Sequence, residues 1–596
     1  MKKILKNYFN YFLYFYRYLR YRIFVSFSLS FIKGVLDGFG LAMFIPLLKL
    51  SSSSQNVSES SEMGNLSFLP EFLEKIGISL TITTALLIIL SFFCLKGVIT
   101  FIEGIMRVKY QQLFIREIRL TNIQLLNSYS FSEFVKSDAG KIQNTFSAEV
   151  NRVAMAYGSY FKSIEYGVLV LVYVSFAFAS NTEFALIVAV GGVLTNFIFK
   201  WLFRKTKMLS RKYTNRAHNF QSLLIQHVAN FKYLKASGLN YFYGNKLKNN
   251  INQLEEIQRN LGVVDATLMA LREPLTILVV VIAILFQVNY YNADIGLIIL
   301  SLIFLYRALT FLMAMQENWN KFLSVSGSME NMTEFTSELR NNKEKNGIVK
   351  FETFENKISL ENIYFKYNNT TVIDGIDLNI SKNETIAIIG ESGSGKSTLM
   401  NILSGLLIPS NGQLLIDGID ISELDINSYR KRIGYIAQEA PIFNDTIFNN
   451  VTFWSEKSSD NLQKFHEAIR KASLSEFVNS LDDKEDEYLG NNGINISGGQ
   501  KQRLSIAREL YKDVDFLFMD EATSALDGET EAAIQSNIDL LKGRYTILMI
   551  AHRLSTIKNA DKIILLKNGK IEAFGTFEEL LKTSPTFVRM IKLQEF

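Results

Sequence analysis

At 596 residues with 63 basic and 58 acidic side chains, the chain is too long for a single hydrophobic core, and its formal charge of +5 is too small to point to nucleic acid. Its one cysteine, Cys94, lies in an apolar run, which excludes an intrachain disulfide and a cysteine-built metal site; the four histidines, His218, His227, His466 and His552, stand without ligand spacing. Redox chemistry and a resident metal cluster are excluded, apart from an ion carried by a nucleotide.

Residues 1–22 mix Lys2, Lys3, Lys6, Arg17, Arg20 and Arg22 with a dense aromatic set that includes Tyr8, Phe9, Tyr11, Phe12, Tyr14, Phe15 and Tyr16, a pattern that predicts an interfacial helix. A secretory leader is the rival, but basic residues interrupt the would-be apolar core and no small-residue cleavage site follows. Apolar runs then predict six spans near 22–50, 79–106, 155–179, 183–203, 261–289 and 294–318. The outward candidates are nearly free of basic residues, Lys75 being the only one in 51–78, whereas Lys200, Arg204, Lys205, Lys207, Arg211, Lys212 and Arg216 crowd an inward loop. Both termini are therefore expected on the cytoplasmic side.

The inward connections 107–154 and 204–260 are helically periodic, and only Pro46, Pro70 and Pro274 interrupt the first 350 residues, so the spans are expected to continue beyond the bilayer as long helices. A separate soluble helical domain is the alternative, although each connection is short for a core of its own. The polar stretch around Asn341-Asn342-Lys343-Glu344-Lys345-Asn346-Gly347 reads as a solvated linker. The predicted domains are an interfacial helix over 1–22, a six-helix transmembrane domain with cytoplasmic coupling loops over 23–336, a linker over 337–352 and a nucleotide-binding domain over 353–596.

In the last of these, an apolar strand over Thr385 to Ile389 runs into Gly390-Glu391-Ser392-Gly393-Ser394-Gly395-Lys396-Ser397-Thr398 and then a helical pattern, the spacing of a phosphate-binding loop. Glycines let the backbone N–H groups converge on phosphate oxygens, Lys396 brings a compact cation and Ser397 a hydroxyl for Mg2+. A second apolar strand, Phe516-Leu517-Phe518-Met519, ends in Asp520-Glu521. Asp520 is expected to hold Mg2+ and Glu521 to polarise the water that attacks the γ-phosphate of ATP.

The stretch Ile496-Ser497-Gly498-Gly499-Gln500, followed by Lys501-Gln502-Arg503, is similar to the signature motif of the ATP-binding cassette transporters, and the whole chain resembles their exporter type, with the membrane domain first. The resemblance implies an α-helical six-span transmembrane domain joined to an α/β P-loop ATPase domain with an antiparallel β subdomain, and two such half-transporters per working unit. It implies that Ser497, Gly498, Gly499 and Gln500 complete the site of the opposite subunit. Tyr367 resembles the aromatic that stacks on adenine, Gln438 the glutamine that senses Mg2+, Asp527 in Ser524-Ala525-Leu526-Asp527 the interface loop, and His552 the switch histidine at the γ-phosphate. By position, Phe131 to Gln143 and Leu223 to Gly238 resemble the two coupling helices, with plain amphipathic packing as their alternative.

Two features depart from the family pattern: Ile496 stands where leucine is usual, and Gly490-Asn491-Asn492-Gly493 lacks the usual acid between glycines. With Glu521 and the signature intact, a homodimer with two competent sites is expected.

Ionisable residues inside apolar stretches narrow the substrate. Lys33 and Asp37, spaced i,i+4, are expected to neutralise each other, leaving Lys96, Arg272 and Arg307 for an anionic headgroup, with Glu273 beside Arg272 as the structural alternative. The first span, with Gly34, Asp37, Gly38, Gly40 and Pro46, and the segment Glu149-Val150-Asn151-Arg152-Val153 look similar to exporters associated with bacterial cell-surface polysaccharide. The expectation is export of an amphipathic lipid-linked sugar or glycolipid across the bacterial cytoplasmic membrane, with membrane lipids as surroundings. A multidrug or peptide exporter of the same fold is the first rival; an ATP-regulated channel or signalling subunit, disfavoured by intact Glu521, is the second. The spans exclude a soluble ATPase.

Overall fold

Long apolar runs joined to amphipathic ones form continuous helices in the computed structural model, which describes residues 2–44, 46, 47, 75, 77, 79, 81–180, 182–291, 295–367, 370–520, 536, 538–551 and 553–594. The chain divides into two compact units, Met1–Tyr129 with Lys136–Lys343, and Ser130–Val135 with Glu344–Phe596.

The first unit is helical. Helix α1 (Lys2–Leu19) is separated from α2 (Arg22–Ala42) by a turn at Arg20, whose φ is 51°. Phe15 and Leu19 of α1 are buried in a cluster with Phe114, Tyr157, Tyr160 and Phe161, so the aromatic content that marks an interfacial helix also anchors it to the bundle. Helix α3 (Ile82–Asn127) begins with a capping box between Thr81 and Thr84. Two short helices, Phe131–Lys136 and Ala139–Asn144, precede a π-helical turn, Thr145–Glu149, that leads into α4 (Val150–Ser180). Then come α5 (Thr182–Ala229), a short helix Phe231–Ala236, α6 (Asn240–Tyr291) and α7 (Ile295–Asn341).

At 52 residues, α6 is about 78 Å long, far more than a hydrocarbon core of ~30 Å. The inward connections are thus continuations of the spans rather than a separate domain. Helix α6 carries Pro274 without a break. Among the described residues, four helical stretches are long and apolar enough to cross a membrane: Arg22–Ala42, Ile82–Asn127, Ala139–Ser180 and Asn240–Leu285. The spans expected over 183–203 and 294–318 fall within α5 and α7, an arrangement compatible with six crossings. Helices α2 and α4 approach closely at Gly38, where a Cβ would come within 2.3 Å of the Phe176 ring.

The expected linker is shorter than its polar composition indicates. Helix α7 continues through Asn341, and Gly347 and Val349 donate backbone hydrogen bonds to Leu424 and Glu423 of the second unit's own fold, while Asn346 donates to Asp425. Hydrophilic residues at a helix end satisfy the backbone as well in a docked strand-like segment as in solvent, and the two units divide between Lys343 and Glu344, inside the expected linker of 337–352.

The second unit contains two sheets. Strands β1 (Lys357–Tyr367), β2 (Thr370–Ser381), β4 (Asn411–Ile416) and β5 (Ile419–Asp420) form an antiparallel sheet in the order β2-β1-β4-β5. The other sheet has the order β10-β9-β3-β8-β7-β6, with β3 (Thr385–Gly390), β6 (Ile433–Ile436), β7 (Phe516–Asp520), β8 (Thr546–Ile550) and β9 (Lys562–Lys567) parallel and β10 (Lys570–Gly575) antiparallel at the edge. Its central strands are apolar throughout because both faces are covered. Ala387, Ile389, Leu517 and Met519 enter one core, and Ile386, Ile388, Phe516 and Phe518 the other. The segment Ser130–Val135 groups with this unit, Phe131 packing against its second core.

Candidate nucleotide site and membrane charge network

Parallel strands bring functional residues to their carboxyl ends, where an open α/β sheet binds ligands. Strand β3 delivers the glycine-rich loop at Gly390, β7 ends on Asp520 paired in register with Ile550 of β8, and Gln438 follows β6 by two residues as an exposed side chain. Helix α8 (Lys396–Leu403) leaves the loop from Gly395, whose φ of 104° is left-handed. A Cβ at Gly395 would also lie 3.0 Å from the Val372 carbonyl, and one at Gly390 2.3 Å from the Leu566 carbonyl, so both positions require glycine for conformation and for space.

Lys396 is buried, and its Nζ donates to the carbonyls of Gly390 at 2.9 Å and Glu391 at 3.0 Å, which holds the ammonium inside the curl of the loop. Ser394 is buried, and its Oγ has no hydrogen-bond partner among the described residues. Glu391, Ser392, Gly393 and Ser397 are exposed along the mouth, and Thr398 is buried beneath it. An orphaned hydroxyl, a lysine ammonium and a helix N-terminus around one concavity fit a polyphosphate. Tyr367 closes β1 with its ring edge-on to Phe365 at 4.8 Å, in the sheet whose Val372 and Ile373 touch the loop. Burial pushes the phenol of Tyr435 up to about 12, with the carboxylate of Asp520 acting in the same direction.

Ser497 is the exposed N-cap of α9 (Gly498–Tyr511), in a capping box with Gln500: the Gln500 N–H donates to Ser497 Oγ at 3.2 Å, and the Ser497 N–H donates to Gln500 Oε1 at 2.8 Å. Gly498 is exposed as well, so the start of this helix presents its amides to the surface. The preceding Gly490-Asn491-Asn492-Gly493 folds as a 3-10 turn with Asn492 left-handed, and Lys501 Nζ donates to the Asn492 carbonyl at 2.6 Å. Further along α9, buried Arg508 donates to the carbonyls of Asn450 and Pro441 at 2.6 and 2.7 Å. This tie between the signature helix and the segment after Gln438 escaped sequence reasoning, since an arginine on a helix ordinarily reads as solvated. Glu521, Asp527 and His552 lie outside the described residues.

In the membrane unit, the expected neutralisation of Lys33 by Asp37 is corrected. Lys33 Nζ donates to Glu103 at 2.6 Å and also to Glu165, which in turn pairs with Arg107 at 3.2 Å. Asp37 instead accepts from Lys96 at 2.6 Å and from the Tyr173 hydroxyl. A helical i,i+4 spacing puts Lys33 and Asp37 on one face, but both side chains gain more from carboxylates and cations buried on neighbouring helices. Glu103 and Glu165 were legible as acids in apolar stretches and are the missing partners. Lys96 is thus paired, as is Arg272, which donates to Glu317 at 2.8 Å. Within the polysaccharide-like segment, Glu149 is buried, shares a hydrogen bond of 2.6 Å with His218 Nε2 and accepts from Asn331, while Arg152 donates to Ser328 at 2.9 Å. These residues tie helices together.

Residues 373–524 match the family described as ABC transporter. The match makes the second unit an ABC transporter ATPase domain. The chain is 28% identical over 469 residues to an ATP-dependent lipid A-core flippase of Cupriavidus pinatubonensis, covering 77% of this chain and 79% of that one. It is 29% identical over 471 residues to the heterocyst differentiation ATP-binding protein HepA of a Nostoc species, covering 77% and 75%. Its fold matches the structure of a bacterial Atm1-family ABC exporter with ATP bound, with a TM-score of 0.79 at 20% identity over 97% of this chain and 100% of that one. With the fold of an exporter and apolar helices long enough to cross a membrane, the chain is an integral membrane protein with a nucleotide-binding ATPase unit, and its ATPase activity is coupled to transport.

Proposed function

We propose that two copies of this ABC exporter form a transporter that moves an amphiphile with an anionic, sugar- or phosphate-bearing head across the bacterial cytoplasmic membrane by alternating access. The exposed, capped signature helix carries this reading: a polar N-terminus left open beside intact ATPase motifs fits a second subunit's nucleotide. The lipid A-core flippases among the relatives supply the substrate class.

In this reading Lys396 and the loop amides bind the phosphates, Tyr367 stacks on adenine, and Ser397, Gln438 and Asp520 hold Mg2+. Glu521 orients the attacking water, and His552 and Asp527 complete the site at the interface. Hydrolysis of ATP supplies the free energy, and the difference in nucleotide affinity between closed and open motors sets the direction of the change. The segments Phe131 to Gln143 and Leu223 to Gly238 pass that change to the helices. In this reading both termini are cytoplasmic, which the excess of basic residues in the inward loops supports.

Substitution of Ser497 separates its two roles. Ser497→Ala is expected to lower stability by about 1 kcal/mol through loss of the cap and to reduce ATP turnover more than tenfold; Ser497→Asp restores the cap, seen in the thermal midpoint, but not turnover, because a carboxylate opposes the γ-phosphate. Equal recovery of both would leave the residue a cap alone.

The reading as a whole is tested by ATPase activity in lipid nanodiscs, scanned across anionic glycolipids, polyprenyl-phosphate-linked sugars and cationic drugs. Glu521→Gln, the control, is expected to lose at least ~100-fold in turnover. Stimulation by the anionic lipids alone agrees with the proposal; stimulation by drugs alone replaces it with a multidrug exporter.

A further inference from the structure

Tyr11 and Tyr14 of α1 line a cavity of about 850 Å³ whose other walls come from α5 and α7. Lys207 and Arg211, four residues apart and so on one face of α5, form one side of it. Both bind Glu330 of α7. Lys207 Nζ lies 2.9 Å from its carboxylate and donates to the Tyr11 hydroxyl at 2.8 Å, and Arg211 donates to both carboxylate oxygens at 2.6 and 3.0 Å. Two cations therefore share one carboxylate, and one amino group of the Arg211 guanidinium has no partner among the described residues.

One helical turn further along α7, Glu334 lines the same cavity, exposed and with neither an ion pair nor a hydrogen bond among the described residues. Glu338, a turn beyond it, is bound by Lys141 at 2.9 Å. Beside Glu334, the exposed Thr333 hydroxyl donates to the Met329 carbonyl at 2.8 Å, so its oxygen can still accept. The cavity is thus dipolar, with surplus positive charge at Lys207 and Arg211 and surplus negative charge about 6 Å along α7 from Glu330. A simple anion or cation would satisfy one end and be opposed by the other. An exposed glutamate is ordinarily just solvated, but this one shares a walled cavity with cations whose pairing is incomplete.

The level of the cavity follows from α5. Its Trp201 is 66% exposed, and the Lys205 ammonium lies 5.5 Å from the ring centroid, an aromatic and basic pairing suited to the membrane boundary. Lys207 comes six residues after Trp201, about 9 Å along the helix, which brings the cavity to the headgroup layer beside the interfacial helix.

We propose that this cavity binds the headgroup of an aminophospholipid of the phosphatidylethanolamine class, taken from the leaflet that faces the basic loops, with its phosphate on Arg211 and Lys207 and its primary ammonium on Glu334 and Thr333. The guanidinium offers paired N–H donors to phosphate oxygens, and the two-carbon link of ethanolamine carries the ammonium toward the next turn of α7. A choline head has no N–H to give Glu334, and a glycerol head has no positive charge. Bound there, the lipid joins α1 to α5 and α7, so it acts on the stability of the membrane unit. The assignment stands apart from the transport reading above, because the cavity is a binding site whether or not this lipid is moved.

The test follows the thermal midpoint of the full-length protein in maltoside micelles, without nucleotide, during titration with phosphatidylethanolamine, phosphatidylcholine, phosphatidylglycerol and water-soluble glycerophosphoethanolamine. Phosphatidylethanolamine is expected to raise the midpoint at a concentration about tenfold below that of either other lipid, and glycerophosphoethanolamine to leave it unmoved. Glu334→Gln, at an exposed position, is expected to keep the lipid-free midpoint and to raise the half-effective concentration of phosphatidylethanolamine about tenfold. Glu334→Lys is expected to reverse the preference in favour of phosphatidylglycerol. An unshifted phosphatidylethanolamine titration in Glu334→Gln overturns the assignment, as does an equal response of the unsubstituted protein to phosphatidylcholine or no response to phosphatidylethanolamine. An equal response to glycerophosphoethanolamine overturns it in favour of a soluble zwitterion.

Discussion

Lys396→Ala is expected to reduce ATP turnover by about 10²–10³-fold, the scale on which loss of one preorganised charge contact slows a reaction that develops negative charge. The ammonium is already positioned, buried in the loop and held by the Gly390 and Glu391 carbonyls, so little reorganisation is needed when phosphate enters. The released carbonyls can be hydrated, since Glu391 and Ser392 are exposed, and the nucleotide-free protein should unfold within a few degrees of the unsubstituted one. What should disappear is the rise in thermal midpoint on adding ATP, which for a ligand at 100 times its Kd corresponds to about 2.7 kcal/mol. A variant that keeps both turnover and the ATP-induced rise would show that the loop is not the phosphate site.

Lys33→Met is expected to destabilise the membrane unit by about 3–5 kcal/mol, the usual consequence of removing one partner from a buried ion pair. The lysine bridges Glu103 and Glu165, and its removal leaves two carboxylates at bilayer depth with only Arg107 for compensation. Lys33→Met combined with Glu103→Gln restores the balance of charge and is expected to recover more than half of the loss. The cycle is read from the midpoint of thermal unfolding in one detergent, with gel filtration to follow aggregation. If the double variant were as unstable as the single one, packing rather than charge would be the cause.

The motor was legible because each part is encoded locally. An apolar strand followed by Gly390 to Thr398 fixes a strand, a turn and a helix within a few residues, and glycine positions such as Gly395 admit no other side chain. The alternation of Ala387 and Ile389 with Ile386 and Ile388 between two cores explains why β3 shows no polar face. The membrane unit was legible in its helices and less so in its contacts. Helical spacing offered Asp37 to Lys33, whereas the partners, Glu103 and Glu165, are 70 and 132 residues away in the chain, a separation that periodicity cannot address. Arg508 is the corresponding case in the motor: burial, invisible in the sequence, turns a helix-surface residue into a tie to Asn450.

The central claim, that ATP hydrolysis moves an anionic amphiphile, is tested most directly by translocation in proteoliposomes. Protein is reconstituted with a fluorescent polyprenyl-phosphate sugar, and the fraction accessible to a membrane-impermeant quencher is followed after ATP is added on the motor side. The account predicts a net, ATP-dependent transfer away from the motor side that Lys396→Ala abolishes. Equal transfer with and without ATP, or full transfer by Lys396→Ala, would contradict it.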